Sequence, residues 1–173
     1  MAKEKEQTLM HEQTGLSEHE VRVEKARKLR TLGIEPWPSS RPVSVTTQEV
    51  LKEFVDGQED QDAKVYTIAG RVVALRSHGK TTFAKIEDRQ GTLQLYFKQD
   101  DLSAELFSLL KDFIDVGDLL WVQGTSFKTK TGEITLKVND FILLAKCLHP
   151  LPEKFIFLTY LNLLVIPIYQ ALI

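Results

Sequence analysis

The stretch Val65–Lys98, VYTIAGRVVALRSHGKTTFAKIEDRQGTLQLYFK, decides the fold. Read in steps of two, it breaks into three extended runs separated by short turn-forming segments. The first run, about Val65 to Arg76, is long and carries Gly70, where a missing side chain lets a strand bend or bulge. Ser77-His78-Gly79 turns the chain into a second run, about Thr81 to Glu87, and Arg89-Gln90-Gly91 into a third, about Thr92 to Lys98. Three consecutive runs joined this tightly make an antiparallel meander.

Downstream the period changes to that of a helix. Asp101-Leu102-Ser103-Ala104-Glu105 opens it, and Leu102, Leu106, Leu109, Leu110 and Phe113 form its apolar set before Val116-Gly117-Asp118 ends it. A fourth strand, about Leu119 to Phe127, and a fifth, about Glu133 to Leu144, flank the polar hairpin Lys128-Thr129-Lys130-Thr131-Gly132. The order β-β-β-α-β-β predicts a mainly β fold, a five-stranded OB-fold barrel with a helix between strands three and four. Barrels of this kind take oligonucleotides and oligosaccharides, and the fold alone does not choose between them.

Upstream, Ser17-Glu18-His19-Glu20 has capping-box form and starts a helix through Leu32. Val21, Leu29 and Leu32 form its apolar stripe, and Arg22, Lys25, Arg27, Lys28 and Arg30 cover most of the remainder. Gly33 and Pro36-Trp37-Pro38 end it. Thr46-Thr47-Gln48-Glu49 repeats the capping pattern ahead of a short helix carrying Val50, Leu51, Phe54 and Val55, followed by a polar loop from Asp56 to Lys64. The expected organisation is a disordered tail at 1–16, a helical extension at 17–63, the barrel at 64–148, and a linker with an apolar tail at 149–173.

Lys and Arg total 22 against 24 Asp and Glu, a formal charge of −2 with a pI near 6.1, so any nucleic-acid site must be a local patch. The lone Cys147 excludes an internal disulfide and fits a reducing compartment, the cytoplasm. His11, His19, His78 and His149 lack the spacing of metal ligands, and no metal site is expected. No nucleophile and base are paired and no glycine-rich phosphate loop occurs, so no catalytic residue is assigned.

Side chains alternate along a strand, which splits each run into an inward and an outward row. Ala84 and Ile86 face in, leaving Phe83 outward with Lys85 and Glu87. Leu93, Leu95 and Phe97 face in, leaving Thr92, Gln94, Tyr96 and Lys98 outward. In strand five Ile134, Leu136 and Val138 face in, and Glu133, Thr135 and Lys137 face out. An outward ring offers a stacking platform, while the Gln94 amide and the Glu133 carboxylate can read the edge of an unstacked base. Arg76, Lys80, Lys128 and Lys130, at neighbouring loop ends, can hold phosphates. Alternation alone equally allows Phe83 to plug a barrel end and the other two to be ordinary solvated residues.

Several blocks point further. They are Arg27-Lys28-Leu29-Arg30-Thr31-Leu32-Gly33-Ile34-Glu35-Pro36-Trp37-Pro38, Ile68-Ala69-Gly70-Arg71, His78-Gly79-Lys80-Thr81-Thr82-Phe83, Gly117-Asp118, Phe127-Lys128-Thr129-Lys130-Thr131-Gly132-Glu133 and Leu148-His149-Pro150-Leu151-Pro152-Glu153-Lys154-Phe155. Over about Val21 to Phe155 the chain resembles the N-terminal, anticodon-binding region of the lysyl-tRNA synthetases, class II lysine–tRNA ligases. The resemblance implies that Phe83 stacks on the central anticodon uridine, that Gln94 and Glu133 read bases, and that Arg76 is a further anticodon contact. It implies lysine tRNA as partner, with the basic helix, Arg27 and Arg30 included, against tRNA or barrel, while the residues of that helix fit a merely solvated charged helix equally well. It also implies homodimers, and ATP and Mg as the full-length family's cofactors, none of them held by this chain.

Beyond the linker the resemblance fades. Ile156–Ile173 contains no charged residue, whereas the family continues into an arginine-rich stretch and the ATP-binding catalytic motifs. The 173 residues are therefore expected to be inactive by themselves, and the alternative function is that of a non-catalytic standalone OB-fold protein that binds single-stranded nucleic acid. The uncharged segment reads first as an out-of-frame or truncated end, then as a partner-binding segment, and less favourably as a membrane contact broken by Asn162, Pro167 and Gln170.

Overall fold

The computed structural model describes residues 15–56 and 64–150. Residues 1–14 of the tail expected at 1–16, 57–63 of the polar loop, and 151–173 of the linker and apolar tail expected at 149–173 lie outside the described residues. The elements are α1 (Glu18–Thr31), α2 (Thr47–Glu53), β1 (Val65–His78), β2 (Thr81–Glu87), β3 (Thr92–Lys98), a 3₁₀ turn (Gln99–Asp101), α3 (Ala104–Phe113), β4 (Leu119–Lys128) and β5 (Ile134–Ala145).

The five strands close into a barrel in the order β1-β2-β3-β5-β4. All pairings are antiparallel except β3 with β5, which run parallel. The long β1 belongs to both halves of the barrel: Val65–Arg71 pair with β4, and Arg71–His78 pair with β2. It bends where the two sets meet. A Cβ on Gly70 would sit 2.9 Å from the Glu87 carbonyl oxygen, and the register slips between Val72 and Ala74. Glycine and bulge together let one strand turn the barrel corner.

Inside lies one core, formed by Ile68, Ile86, Leu95, Phe97, Val122 and Phe141 with their neighbours, to which α3 adds Phe107 and Leu110. Leu29 of α1 and Val50 of α2 are fully buried in the same core. Each such side chain contributes about 1.5–3 kcal/mol by leaving water.

The expected elements are present, with differences at their edges; α2 stops at Glu53, because Phe54 is already extended at φ −63° and ψ 127°, which leaves Phe54 and Val55 off the helix. The first strand continues through Ser77 and His78, because Gly79 at φ +57° lets the two residues Gly79-Lys80 make the whole turn. Helix α3 starts at Ala104, capped by the Ser103 hydroxyl, and Asp101 stays in the preceding 3₁₀ turn. The stripe of α1 is Arg22, Ala26 and Leu29; Leu32 is 62% exposed and Val21 only partly buried. On β5, Thr135 is fully buried although it faces outward, and Ile134 is only partly buried at the strand's start.

Arg22 is buried because its guanidinium donates to the carbonyl oxygens of Val116 (2.9 Å) and Cys147 (3.0 Å) and to the Glu18 carboxylate (2.7 Å). Lys25, one turn on, donates to Asp115 at 2.6 Å. Asp115 belongs to a buried cluster at the end of β5. The Lys146 ammonium donates to Asp115, to Asp118 at 2.8 Å and to the Phe113 carbonyl oxygen at 2.7 Å. Asp118 in turn accepts the backbone N–H groups of Asp115 and Cys147, both at 2.8 Å. Burial pushes the Asp115 carboxyl up, but the Lys146 and Lys25 charges outweigh it and hold it below the usual range. Burial wins at Asp118, whose carboxyl is raised despite Lys146.

Asp88 braces the second helix. It accepts the Thr47 N–H and hydroxyl, both at 2.8 Å, and the N–H groups of Gln90 (2.7 Å) and Gly91 (3.0 Å), so one carboxylate ties the start of α2 to the β2–β3 turn. Burial raises its carboxyl, but these donors together hold it below the usual range.

Two outcomes are expected in denaturant unfolding. Lys146→Met, which leaves two buried carboxylates without their shared cation, lowers stability by about 3–5 kcal/mol. Asp88→Asn costs about 1.5–3 kcal/mol at neutral pH. Because the folded carboxyl of Asp88 lies below its unfolded value, its contribution is complete above the unfolded pKa and fades as pH falls through the folded one. The stability gap between wild type and Asp88→Asn should therefore start to narrow as pH falls below about 4 and keep narrowing as the folded carboxyl is protonated; a gap unchanged in acid would rule out the carboxylate as its source.

Candidate nucleic-acid interface

The outer face of β2 and β3 is built by strand register. Arg76 on β1 lies opposite Phe83 on β2, and Phe83 lies opposite Tyr96 on β3. Tyr96 is in turn opposite Lys137 on β5. Their inward neighbours Ala84, Ile86, Leu93, Leu95 and Phe97 are all buried, which fixes the outward direction of this row. The alternation expected of β2 and β3 is the one observed.

Phe83 is partly exposed and does not plug a barrel end. Its ring meets Tyr96 at 5.0 Å between centroids, tilted by 46°, and Tyr96 meets Phe127 of β4 edge-on at 5.8 Å. Such offset and edge contacts suit the ring quadrupoles and hold Phe83 against its neighbours rather than leaving it free to swing. Tyr96 and Phe127 were not among the expected site residues. The alternation did turn Tyr96 outward, but the Tyr96–Phe127 contact depends on β4 and β5 pairing around the barrel.

Gln94, one outward step from Tyr96, pairs with Lys85 across the strands and with Thr135 on β5. Its Nε2 donates to the Thr135 hydroxyl at 2.9 Å. Glu133 is exposed at the foot of the β4–β5 hairpin, with one carboxylate oxygen 3.8 Å from the Lys85 ammonium. The hairpin is shaped by Gly132 at φ +86°, a conformation open to glycine at little cost. Thr129 closes it: its N–H donates to the Glu133 carbonyl oxygen and its hydroxyl accepts the Glu133 N–H, both at 3.0 Å. Phe83, Gln94, Glu133 and Arg76 thus share one face.

The expected phosphate contacts divide. Lys80 and Lys130 are exposed in the β1–β2 and β4–β5 turns. Lys128 is engaged with Asp56 at 2.7 Å, which lowers the charge it can offer. Arg27 and Arg30 are on α1, with Glu24 3.7 Å from Arg27 and Glu35 3.4 Å from Arg30. The Arg30 guanidinium also covers the Trp37 ring at 5.4 Å. Helix α1 is anchored at Cys147, beyond the end of β5, and at Asp115, whereas Thr135 is near the start of β5. Lys85, Lys98 and Lys137 do surround the rings, each 3.3–3.8 Å from a carboxylate and about 40% exposed.

A basic, aromatic face with amide and carboxylate groups can stack bases, read their edges and neutralise phosphates. Among the described residues no helix is long and apolar enough to cross a membrane.

Comparison with known proteins agrees with the fold. Residues 66–144 match the OB-fold nucleic acid binding domain family. A lysine–tRNA ligase of Methanoculleus marisnigri is 41% identical over 134 residues, covering 78% of this chain and 26% of the relative. One of Carboxydothermus hydrogenoformans is 42% identical over 143 residues, covering 83% and 28%. The lysine–tRNA ligase of Arabidopsis thaliana named chloroplastic/mitochondrial is 41% identical over 140 residues, covering 78% and 23%. The chain spans about a quarter of the length of the curated relatives it matches.

The two faces of the sheet predict different costs. Phe83→Ala, at a partly exposed ring, lowers stability by about 1 kcal/mol, whereas Phe97→Ala in the core costs about 3–5 kcal/mol. Urea unfolding of the two variants checks this, and equal losses would place Phe83 in the core.

Proposed function

We propose, for a chain whose barrel belongs with the OB-fold domains of lysine–tRNA ligases, that its outer face grips the anticodon loop of lysine tRNA. The observation that carries this reading is the register that gathers Arg76, Phe83 and Tyr96 into one row, with Gln94 and Glu133 beside it. Phe83 serves as the platform for the central anticodon uridine, steadied by Tyr96 and Phe127. Gln94 and Glu133 read base edges, and Arg76 with Lys80 and Lys130 meets the sugar–phosphate backbone.

Recognition in this scheme separates affinity from choice. Phosphate contacts supply a salt-dependent grip common to many RNAs, and the ring with its two polar neighbours supplies preference. Attachment of lysine to its tRNA, with ATP and Mg, is proposed for the longer polypeptides of which this barrel forms one module, as is homodimer formation. The single Cys147 and the tRNA partner favour the cytoplasm as its place of work.

The test is a titration of the chain with lysine tRNA and with the same tRNA carrying a changed anticodon, at two salt concentrations, with unrelated single-stranded RNA as competitor. Lysine tRNA should win at both salts. Phe83→Ala should lose about 10-fold or more of the anticodon preference, since stacking is worth about 1–3 kcal/mol per base, while general RNA affinity changes little. Equal binding of all RNAs would instead describe a nonspecific single-strand binder.

A further inference from the structure

Thr135 is the one fully buried polar side chain on this outer face among the described residues, and its hydroxyl has a single hydrogen. That hydrogen is donated to the Glu133 carbonyl oxygen at 3.2 Å, an oxygen that the Thr129 N–H and hydroxyl also reach, at 3.0 and 3.1 Å. Toward Gln94 the hydroxyl can then only accept, and it does so from Nε2 at 2.9 Å. The two ends of a glutamine amide are opposite in hydrogen-bonding character, so an amide whose nitrogen is held at Thr135 cannot turn over without setting two acceptors against each other. Oε1 and the second Nε2 hydrogen are left for a ligand.

We propose that Thr135 is a positioning residue that locks the Gln94 amide in one orientation and thereby makes the face select uracil over cytosine. This rests on the reading of Gln94 as a base reader. Held this way, the amide offers an acceptor beside a donor. Uracil presents the complement, an N3–H beside a carbonyl oxygen. Cytosine presents the reverse, an unprotonated N3 beside an amino group, and would be matched only by the inverted amide. An amide free to rotate would serve both bases about equally, because each orientation satisfies one of them. The discriminating element is therefore the buried hydroxyl, which need not touch RNA at all. It is fixed in its turn by the Glu133 backbone, so the hairpin that presents the Glu133 carboxylate also sets the direction of the Gln94 amide.

The experiment compares two anticodon stem–loop RNAs that differ only by U or C at the central position, binding to wild type, Thr135→Val, Thr135→Ala and Thr135→Ser. Thermal melts confirm that each variant is folded, and Thr135→Ala stands in if the valine variant is not. Wild type should favour U by about 10-fold or more, the discrimination expected of a good two-point edge contact. Thr135→Ser keeps the hydroxyl and should keep that ratio. Thr135→Val and Thr135→Ala should drop it below about 3-fold, chiefly by a gain in cytosine binding, which general loosening of the barrel would not produce. A wild-type ratio retained by folded Thr135→Val or Thr135→Ala overturns the lock while leaving the base-reading role of Gln94 standing. A wild type indifferent to U and C overturns both.

Discussion

The Lys146 ammonium, enclosed with Asp115 and Asp118 at the end of β5, is the joint on which the arrangement of this chain depends. Two carboxylates and one carbonyl oxygen surround it, and the second Asp115 oxygen reaches Lys25 of α1. The same stretch of backbone receives Arg22 at Cys147 and the Trp37 indole N–H at the Lys146 carbonyl oxygen, 3.1 Å away. The N-terminal helix is thus welded to the barrel by charge and hydrogen bonds more than by apolar area, for only Ala26 and Leu29 of α1 join Arg22 inside. A buried cluster of this kind contributes little net energy over a well-packed apolar substitute, yet it tolerates one geometry only.

On the outer face of β2 and β3 the constraint is different. That face is exposed, and its order comes from strand register and from Tyr96, whose ring meets both Phe83 and Phe127. The core beneath is ordinary close packing that holds β2 and β3 at the correct spacing. Rigidity is inherited from the buried row, and chemistry is displayed on the row above it. The two jobs alternate residue by residue along the same strands.

Much of this was legible in the sequence where a residue's surroundings are set by its own strand. Ala84, Ile86, Leu93, Leu95 and Phe97 follow period two without interruption, so the opposite facing of Phe83 and Gln94 could be read directly. What could not be read depends on distant partners. Arg22 looked like one more cation on a polar helix face, because the carbonyl oxygens that bury it come from residues 116 and 147. Thr135 was correctly turned outward, but the Gln94 side chain that covers it arrives from another strand, 41 residues away. Asp118 read as part of a helix exit, and only its meeting with Lys146 explains a fully buried carboxylate there. Arg27 and Arg30 were grouped with the site by charge, and charge alone does not show that each meets a carboxylate, Glu24 for one and Glu35 for the other.

The parallel pairing of β3 with β5 carries a consequence for how the protein comes into being. A parallel neighbour cannot be reached by a tight turn, and here α3 and all of β4 intervene between the two strands. On a chain emerging from the ribosome, β1, β2 and β3 can form their meander while β5 is still being made. Phe83 then already stands beside Tyr96, but Gln94 has no Thr135 and Phe127 has no place. Long-range closure of this sort is the slow part of assembling a barrel. The half-made meander would present the Phe83–Tyr96 pair without Thr135 to hold the Gln94 amide, and on the proposed reading selectivity would appear only on ring closure.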